Sequence, residues 1–268
     1  MLLQAVETRD RHRIHSFLQQ DRFYAAYAIG DLEDGLFEHS QWFLAERERE
    51  GMALVLLFHA LTPPALFAMG RNDGLEAILA GASTPSRVYV TALAHHLEVV
   101  ARFFELGRIS HMLRMKVAPA DFRPVRGSTV RLGMEHLDQL QELYRLGGGD
   151  AFAPYQLRDG VYYGIESGGR VISVAGTHLV SPSYVIGAVG NVFTHPDYRN
   201  RGYATLCTSA VTEDLLSRGV DIVLNVGQDN VPAIRAYRRL GYREHCCYVE
   251  VIGSRHQATQ RRRDQVTN

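Results

Sequence analysis

In the hexapeptide RNRGYA, Arg199 to Ala204, two arginines and a glycine stand just ahead of a run that reads as a helix. The first turn of a helix leaves backbone N–H groups unpaired, and with the helix dipole these form an anion site. A pyrophosphate suits it: Gly202 lets the backbone approach the phosphates, small Ala204 avoids crowding, and Arg199 or Arg201 adds charge. A plain strand-to-helix turn with solvated arginines is the other reading of the same residues, so the surrounding sequence must decide.

A second constellation, NVPAIRAYRRLGY, runs from Asn230 to Tyr242. Asn230 opens a helix, where its side chain caps the first turn or binds a ligand. Tyr237 follows two helical turns along the same face, as a buried aromatic or as a proton donor. Gly241 fits the left-handed residue that ends a helix.

Taken in this order, the two stretches resemble the GNAT superfamily of acyl-CoA-dependent N-acetyltransferases. The family's phosphate loop, Gln/Arg-x-x-Gly-x-Gly/Ala, is matched by Arg199, Gly202 and Ala204, and the preceding NVFTHPDY is similar as well. Asn230, Ala233, Tyr237, Gly241 and Tyr242 match its second signature, and the resemblance covers Thr129 to Ile252, about half the chain.

The resemblance implies acetyl-CoA as cosubstrate and no metal. Its pantetheine arm would pair with the main chain of Val192, Phe193 and Thr194 between two splayed strands. Arg199, Asn200, Arg201, Gly202, Tyr203, Ala204 and Thr205 would hold the phosphates, with Asn225, Asn230, Ala233 and Tyr237 along the rest of the cofactor. An N–H near Val192 or Phe193 would face the oxyanion, and Tyr237 would protonate the departing thiolate. Many relatives carry a glutamate as base on the third or fourth strand, but SYVIGAVGNVFT (Ser183 to Thr194) has no acid. By position the polar candidates are His178, Asp150, Asn191 and His195: His178 reads as a base, Asn191 as a positioner of water or substrate, and His195, before Pro196, as a turn residue. The loop GGGDAFAPYQ (Gly147 to Gln156) supplies Asp150, Phe152 and Tyr155 as acceptor-side candidates.

These residues need a scaffold that the apolar patterning outlines. In the second half a strand TVRLG and a helix MEHLDQLQELYRL, with Leu137, Leu140, Leu143 and Tyr144 as one apolar stripe, precede a hairpin, VYYGIES and RVISVAGTHLV. A third strand at 183–194, a helix at 203–218, the strand DIVLNVG, the Asn230 helix and the strand EHCCYVEVI follow. In the first half, helices within 11–32 precede a meander at WFLAERE, MALVLLFHAL and PALFAMG, a helix GLEAILAGA, a strand RVYVTAL, a helix at 96–107 and a strand SHMLRMKV.

Its last third runs beside that of the second half: Leu106-Gly107 falls on Leu240-Gly241, Phe103 on Tyr237 and His96 on Asn230. RNDGLE (Arg71 to Glu76) echoes RNRGYA, with Glu76 where Ala204 stands. Phenylalanine gives no proton, and an acid beside a pyrophosphate repels it. The first half therefore reads as a silent second copy, with an unrelated α+β domain as the alternative. The expected architecture is α/β with a mixed sheet: two tandem units, each mostly antiparallel with splayed central strands. A degenerate domain at 1–125 would join a catalytic one at 126–252 through the Pro-containing segment 118–128, with a polar tail at 253–268.

Composition limits the function classes. In 268 residues, lysine plus arginine and aspartate plus glutamate stand at 29 each, which gives no global field for nucleic acid or an anionic membrane. Three cysteines, two of them adjacent, form no disulfide framework, and neighbouring His95 and His96 are expected to point apart rather than share a metal. The N-terminus lacks a signal layout and no apolar run spans a bilayer, so the expectation is a cytoplasmic protein, monomer or homodimer. Its activity would be transfer of an acetyl group from acetyl-CoA to a small amine or peptide N-terminus. A transferase of another acyl group and a CoA-binding sensor or scaffold without turnover are the alternatives.

Overall fold

Short apolar runs broken by turn residues become strands in the computed structural model, which describes residues 3–47, 50–148 and 152–256. They build two units, Met1–Met112 with Cys247–Asn268, and Leu113–Cys246.

The first unit opens with β1 (Gln4–Thr8), an edge strand on β2 (Ser40–Arg47) that the sequence reading had not assigned. Between them lie α1 (Arg11–Leu18), capped by the Asp10 side chain on the Arg13 N–H, and the short helices α2 (Ala26–Gly30) and α3 (Asp34–Phe37). Strands β2, β3 (Glu50–Phe58) and β4 (Ala65–Gly70) form an antiparallel meander. The unbroken apolar run Ala53–Leu57 is wholly buried, as expected of a strand covered on both faces. Helix α4 (Asn72–Gly81) then crosses to β5 (Arg87–Ala92), parallel to β4. Helix α5 (Leu97–Ala101) is shorter than expected, because the chain turns at Phe104 into β6 (Phe104–Leu106), with Phe104 fully buried.

Strand β7 (Ser110–Val117) passes into the second unit at Leu113. That unit contains β8 (Val130–Arg131), α6 (Leu137–Tyr144) behind a 3-10 turn, α7 (Pro154–Asp159), and the meander β9 (Tyr163–Ser167), β10 (Arg170–Ser181) and β11 (Ile186–Thr194). Helix α8 (Tyr203–Ser217) crosses to β12 (Asp221–Gly227), parallel to β11, and α9 (Val231–Arg239) follows. The last strand, β13 (Arg243–Arg255), belongs from Cys247 onward to the first unit, where Val249–Ser254 pairs with β5.

Each unit thus repeats one order: antiparallel meander, helix, parallel strand. The segment 118–128, expected as a linker, is bound within the second unit: the Val125 N–H donates to Ser209 Oγ at 2.9 Å and the Arg123 N–H to the Leu240 carbonyl at 3.0 Å. The polar tail expected from Gly253 is strand as far as Arg255, and 257–268 lie outside the described residues. No helix among the described residues is long and apolar enough to cross a membrane.

Candidate active site

The site begins where two parallel strands part. Strands β11 and β12 pair only from Ile186↔Asp221 to Val189↔Leu224, yet β11 runs on to Thr194 and β12 to Gly227. The cause lies on the other edge of β11. Against β10 the register jumps from Phe193↔Val174 to Gly190↔Gly176, so Asn191 and Val192 face Ala175 alone. This is a bulge, with Asn191 left-handed at φ 50°, and a bulge bends its strand. The edge of 190–194 that faced β12 is left without a strand partner, which is what an extended ligand arm requires.

Four side chains grip the bulge. Tyr144 donates its hydroxyl to the Asn191 carbonyl at 2.7 Å, and the Asn191 N–H donates to His178 Nε2 at 3.2 Å. The Asn191 amide donates to Tyr162 Oη at 2.7 Å and to Gln156 Oε1 at 3.1 Å, and Gln156 Nε2 reaches the His178 carbonyl. A Cβ on Gly190 would strike the His178 ring, so only glycine lets that imidazole lie across the strand. Burial pulls the His178 pKa down to about 4. The His178 Nε2 lone pair is engaged by the main-chain N–H of Asn191, and the side-chain amide of Asn191 donates to protein oxygens.

At the far end of β11, Thr194 bonds Ser173 Oγ, and the chain passes through a 3-10 turn, Pro196–Tyr198, before α8. His195 sits in that turn, its Nδ1 accepting the Asp197 N–H. Asn200 (φ 62°) and Gly202 (φ 80°) are both left-handed, and Gly202 is the N-cap of α8 without any capping side chain. The N–H groups of Gly202, Tyr203, Ala204 and Thr205 have no acceptor inside the helix, and a Cβ at Gly202 would meet nothing within 4 Å. Glycine is required there for its φ, and the space in front of it is open. Both arginines are exposed: Arg199 lies over Phe193 with Nε on the Thr194 carbonyl, and Arg201 lies over Tyr198. These features fit a pyrophosphate.

Across the slot, the Asn225 amide oxygen accepts from Arg114 Nε at 2.9 Å, and Arg114 is only 2% exposed. Asn230 caps α9, accepting the Ala233 N–H at 3.2 Å, so that oxygen and that N–H are matched to each other. The Tyr237 ring is buried, and burial pushes its pKa up to about 12.

On the acceptor side, part of the expected loop is helix α7, because Gln156 reaches back to the Ala153 N–H behind Pro154. Phe152 packs against Tyr144 at 4.9 Å and Tyr162 at 6.0 Å, and Tyr155 stays 48% exposed. Asp150 lies outside the described residues. Tyr144, Gln156, Tyr162 and Arg114 were not singled out from the sequence; Tyr144 had been read only as the end of an apolar stripe.

In the first unit the echo of the phosphate loop is not a structural counterpart. Gly74 lies inside α4, where a Cβ would strike Ala53, and only Arg71 separates β4 from the helix. Glu76 pairs with Arg102. His96 does stand at the N-cap of α5, as Asn230 stands at that of α9, but Phe103 lies beyond the helix end. The His95 and His96 rings do not point apart; their centroids are 4.0 Å from each other, since His96 turns in to bond Asn72 Oδ1 at 2.8 Å.

Residues 162–249 match the family model described as FR47-like protein. Over 81 residues the chain is 35% identical to a mycothiol acetyltransferase of Tsukamurella paurometabola, a match that spans 30% of this chain and 28% of that protein. Among solved structures, a GCN5-related N-acetyltransferase from Sphaerobacter thermophilus superposes with a TM-score of 0.60 at 14% identity, covering 95% of this chain and 96% of its own. A tandem GNAT protein from the clavulanic acid biosynthesis pathway gives 0.58 at 12%, covering 94% and 98%. At such identities the structures establish a shared fold.

Proposed function

We propose that this chain is a GNAT-type transferase, as its match to the FR47-like model over residues 162–249 supports, and that it transfers an acetyl group from acetyl-CoA to an amine, with the chemistry confined to the second unit. The observation that carries this reading is the pairing of a strand gap with an uncapped, arginine-flanked helix start at its mouth. Acetyl-CoA supplies a thioester, an acyl group already activated towards amines. The name of the mycothiol acetyltransferase relative supports acetyl transfer as the reaction.

In this reading the N–H groups of Gly202 to Thr205, with Arg199 and Arg201, bind the phosphates. The free edge at 190–194 receives the pantetheine arm, and main-chain N–H near Val192 or Phe193 faces the thioester oxygen. Tyr237, a phenol that is protonated at neutral pH, holds the proton for the departing sulfur. We assign His178 and Asn191 to the bulge rather than to proton removal: the acceptor attacks as the neutral amine, Tyr237 protonates the sulfur as the C–S bond breaks, and the proton that nitrogen sheds on becoming an amide returns to the Tyr237 phenolate. The first unit is a copy without cofactor chemistry, supported by the repeated strand and helix order and by the missing phosphate loop.

Titrating purified protein with acetyl-CoA, then following thiol release across a panel of amines, tests the proposal. Binding with amine-dependent release is expected. Binding without release for any amine would reassign the chain as a CoA-responsive scaffold, and no binding would overturn the site itself.

A further inference from the structure

We infer that Tyr144 is a positioning residue for acyl transfer: by holding the Asn191 carbonyl it fixes the bulge of β11, and with it the main chain against which the acyl group rests. This rests on reading the second unit as an acyl-CoA site.

Asn191 is left-handed in the middle of a strand, a conformation that persists only where its surroundings enforce it. Three of its grips involve the N–H or the side-chain amide. The carbonyl leads directly into the peptide of Val192, and Tyr144 holds it at 2.7 Å. The Tyr144 ring is 6% exposed and packs against Phe152 and Phe193, so its rotamer is locked. The phenol is protonated, and therefore a donor, throughout the neutral range, and burial raises its pKa further.

The first unit contains the same bond without the bulge. Tyr24 donates to the Ala68 carbonyl at 2.8 Å from 44 residues upstream, as Tyr144 does to Asn191 from 47. Phe67 lies 5.0 Å from the Tyr24 ring, as Phe193 lies 6.3 Å from Tyr144. Yet β4 pairs with β3 in unbroken register from Ala53↔Gly70 to Phe58↔Ala65. A hydroxyl deletion there loses an equivalent hydrogen bond in a strand that needs no such restraint.

The test compares Tyr144→Phe with Tyr24→Phe by calorimetry with CoA and with acetyl-CoA, and by the infrared carbonyl stretch of bound 13C-acetyl-CoA. Both variants should lose similar stability and keep the affinity for CoA. Only Tyr144→Phe should lose the preference for acetyl-CoA over CoA, by about fivefold, the worth of one hydrogen bond, and shift the stretch towards its value in water. If the two variants match in preference and stretch, Tyr144 is a packing residue and the inference falls while the acyl-CoA site stands. If the unmodified chain takes up neither CoA nor acetyl-CoA, both fall. Should Tyr144→Phe alone fail to fold, hydrogen exchange of the 190–194 amides decides: extra protection by acetyl-CoA over CoA supports the role, and equal protection refutes it.

Discussion

Tyr237 has a buried ring, and a phenylalanine keeps that ring while removing the hydroxyl, so packing and proton can be separated by one atom. Tyr237→Phe is expected to lower turnover by roughly 10²-fold to 10⁴-fold, the usual contribution of a positioned acid, with acetyl-CoA affinity unchanged. Pre-steady-state thiol release reads this directly, and wild-type rates where chemistry is limiting would leave Tyr237 a core aromatic. His178 and His96 make a second case, since burial lowers both to about 4. An imidazole whose folded pKa lies below its unfolded value of about 6.5 takes its proton more readily in the unfolded chain. The stability these groups contribute is complete above that value and is lost as pH falls from about 6.5 towards 4, by up to about 1.4 kcal/mol per pH unit for each. Urea unfolding at pH 7 and pH 5 should show the decline, and NMR should show neither ring protonating above pH 5. A flat stability profile across that interval would mean that the rings are hydrated.

The start of α8 carries a conflict between folding and binding that one substitution exposes. Ala204 is the second residue of the helix, where a carboxylate favours the dipole but faces the proposed phosphates. Ala204→Glu should therefore keep or slightly raise the melting temperature while abolishing acetyl-CoA binding; intact affinity would move the phosphate site elsewhere. Val185, just ahead of β11, adopts φ 53°, which costs a β-branched residue about 1–2 kcal/mol. Val185→Asn, a residue that tolerates this region, should raise the unfolding free energy by about 1 kcal/mol, and a decrease in chemical denaturation would contradict the strain. Both elements show what the sequence could disclose. The glycine and alanine of RNRGYA mark a helix start because their φ and size are local properties, and β12 was legible from DIVLNVG alone. The bulge was not, because Asn191 is compatible with an ordinary strand until Tyr144, Gln156, Tyr162 and His178 converge on it from distant positions. Strand β1 was missed because four of its five residues are exposed on an edge and show no alternation.

Across the whole molecule, the repeated order of strands and helices raises the question of how many cofactors one chain takes. The similarity of Leu106-Gly107 to Leu240-Gly241 pointed to a copy, and the parallel pair β4 and β5 repeats that of β11 and β12. What the first unit lacks is the connection. Eight residues, 195–202, separate β11 from α8, against Arg71 alone between β4 and α4. The first turn of α4 is also occupied: Asp73 accepts the Gly74 N–H, and Asn72 is bound to the His95 carbonyl and to His96. A pyrophosphate there would meet a carboxylate and no free loop amides. Calorimetric titration of the full chain with acetyl-CoA should therefore saturate at one equivalent. The same titration of the Ala204→Glu chain reads the first unit by itself, because that change is expected to disable only the second. It should show no binding at all. A residual equivalent in the variant, or two in the unmodified chain, would give the first unit a cofactor site and refute its reading as a silent copy.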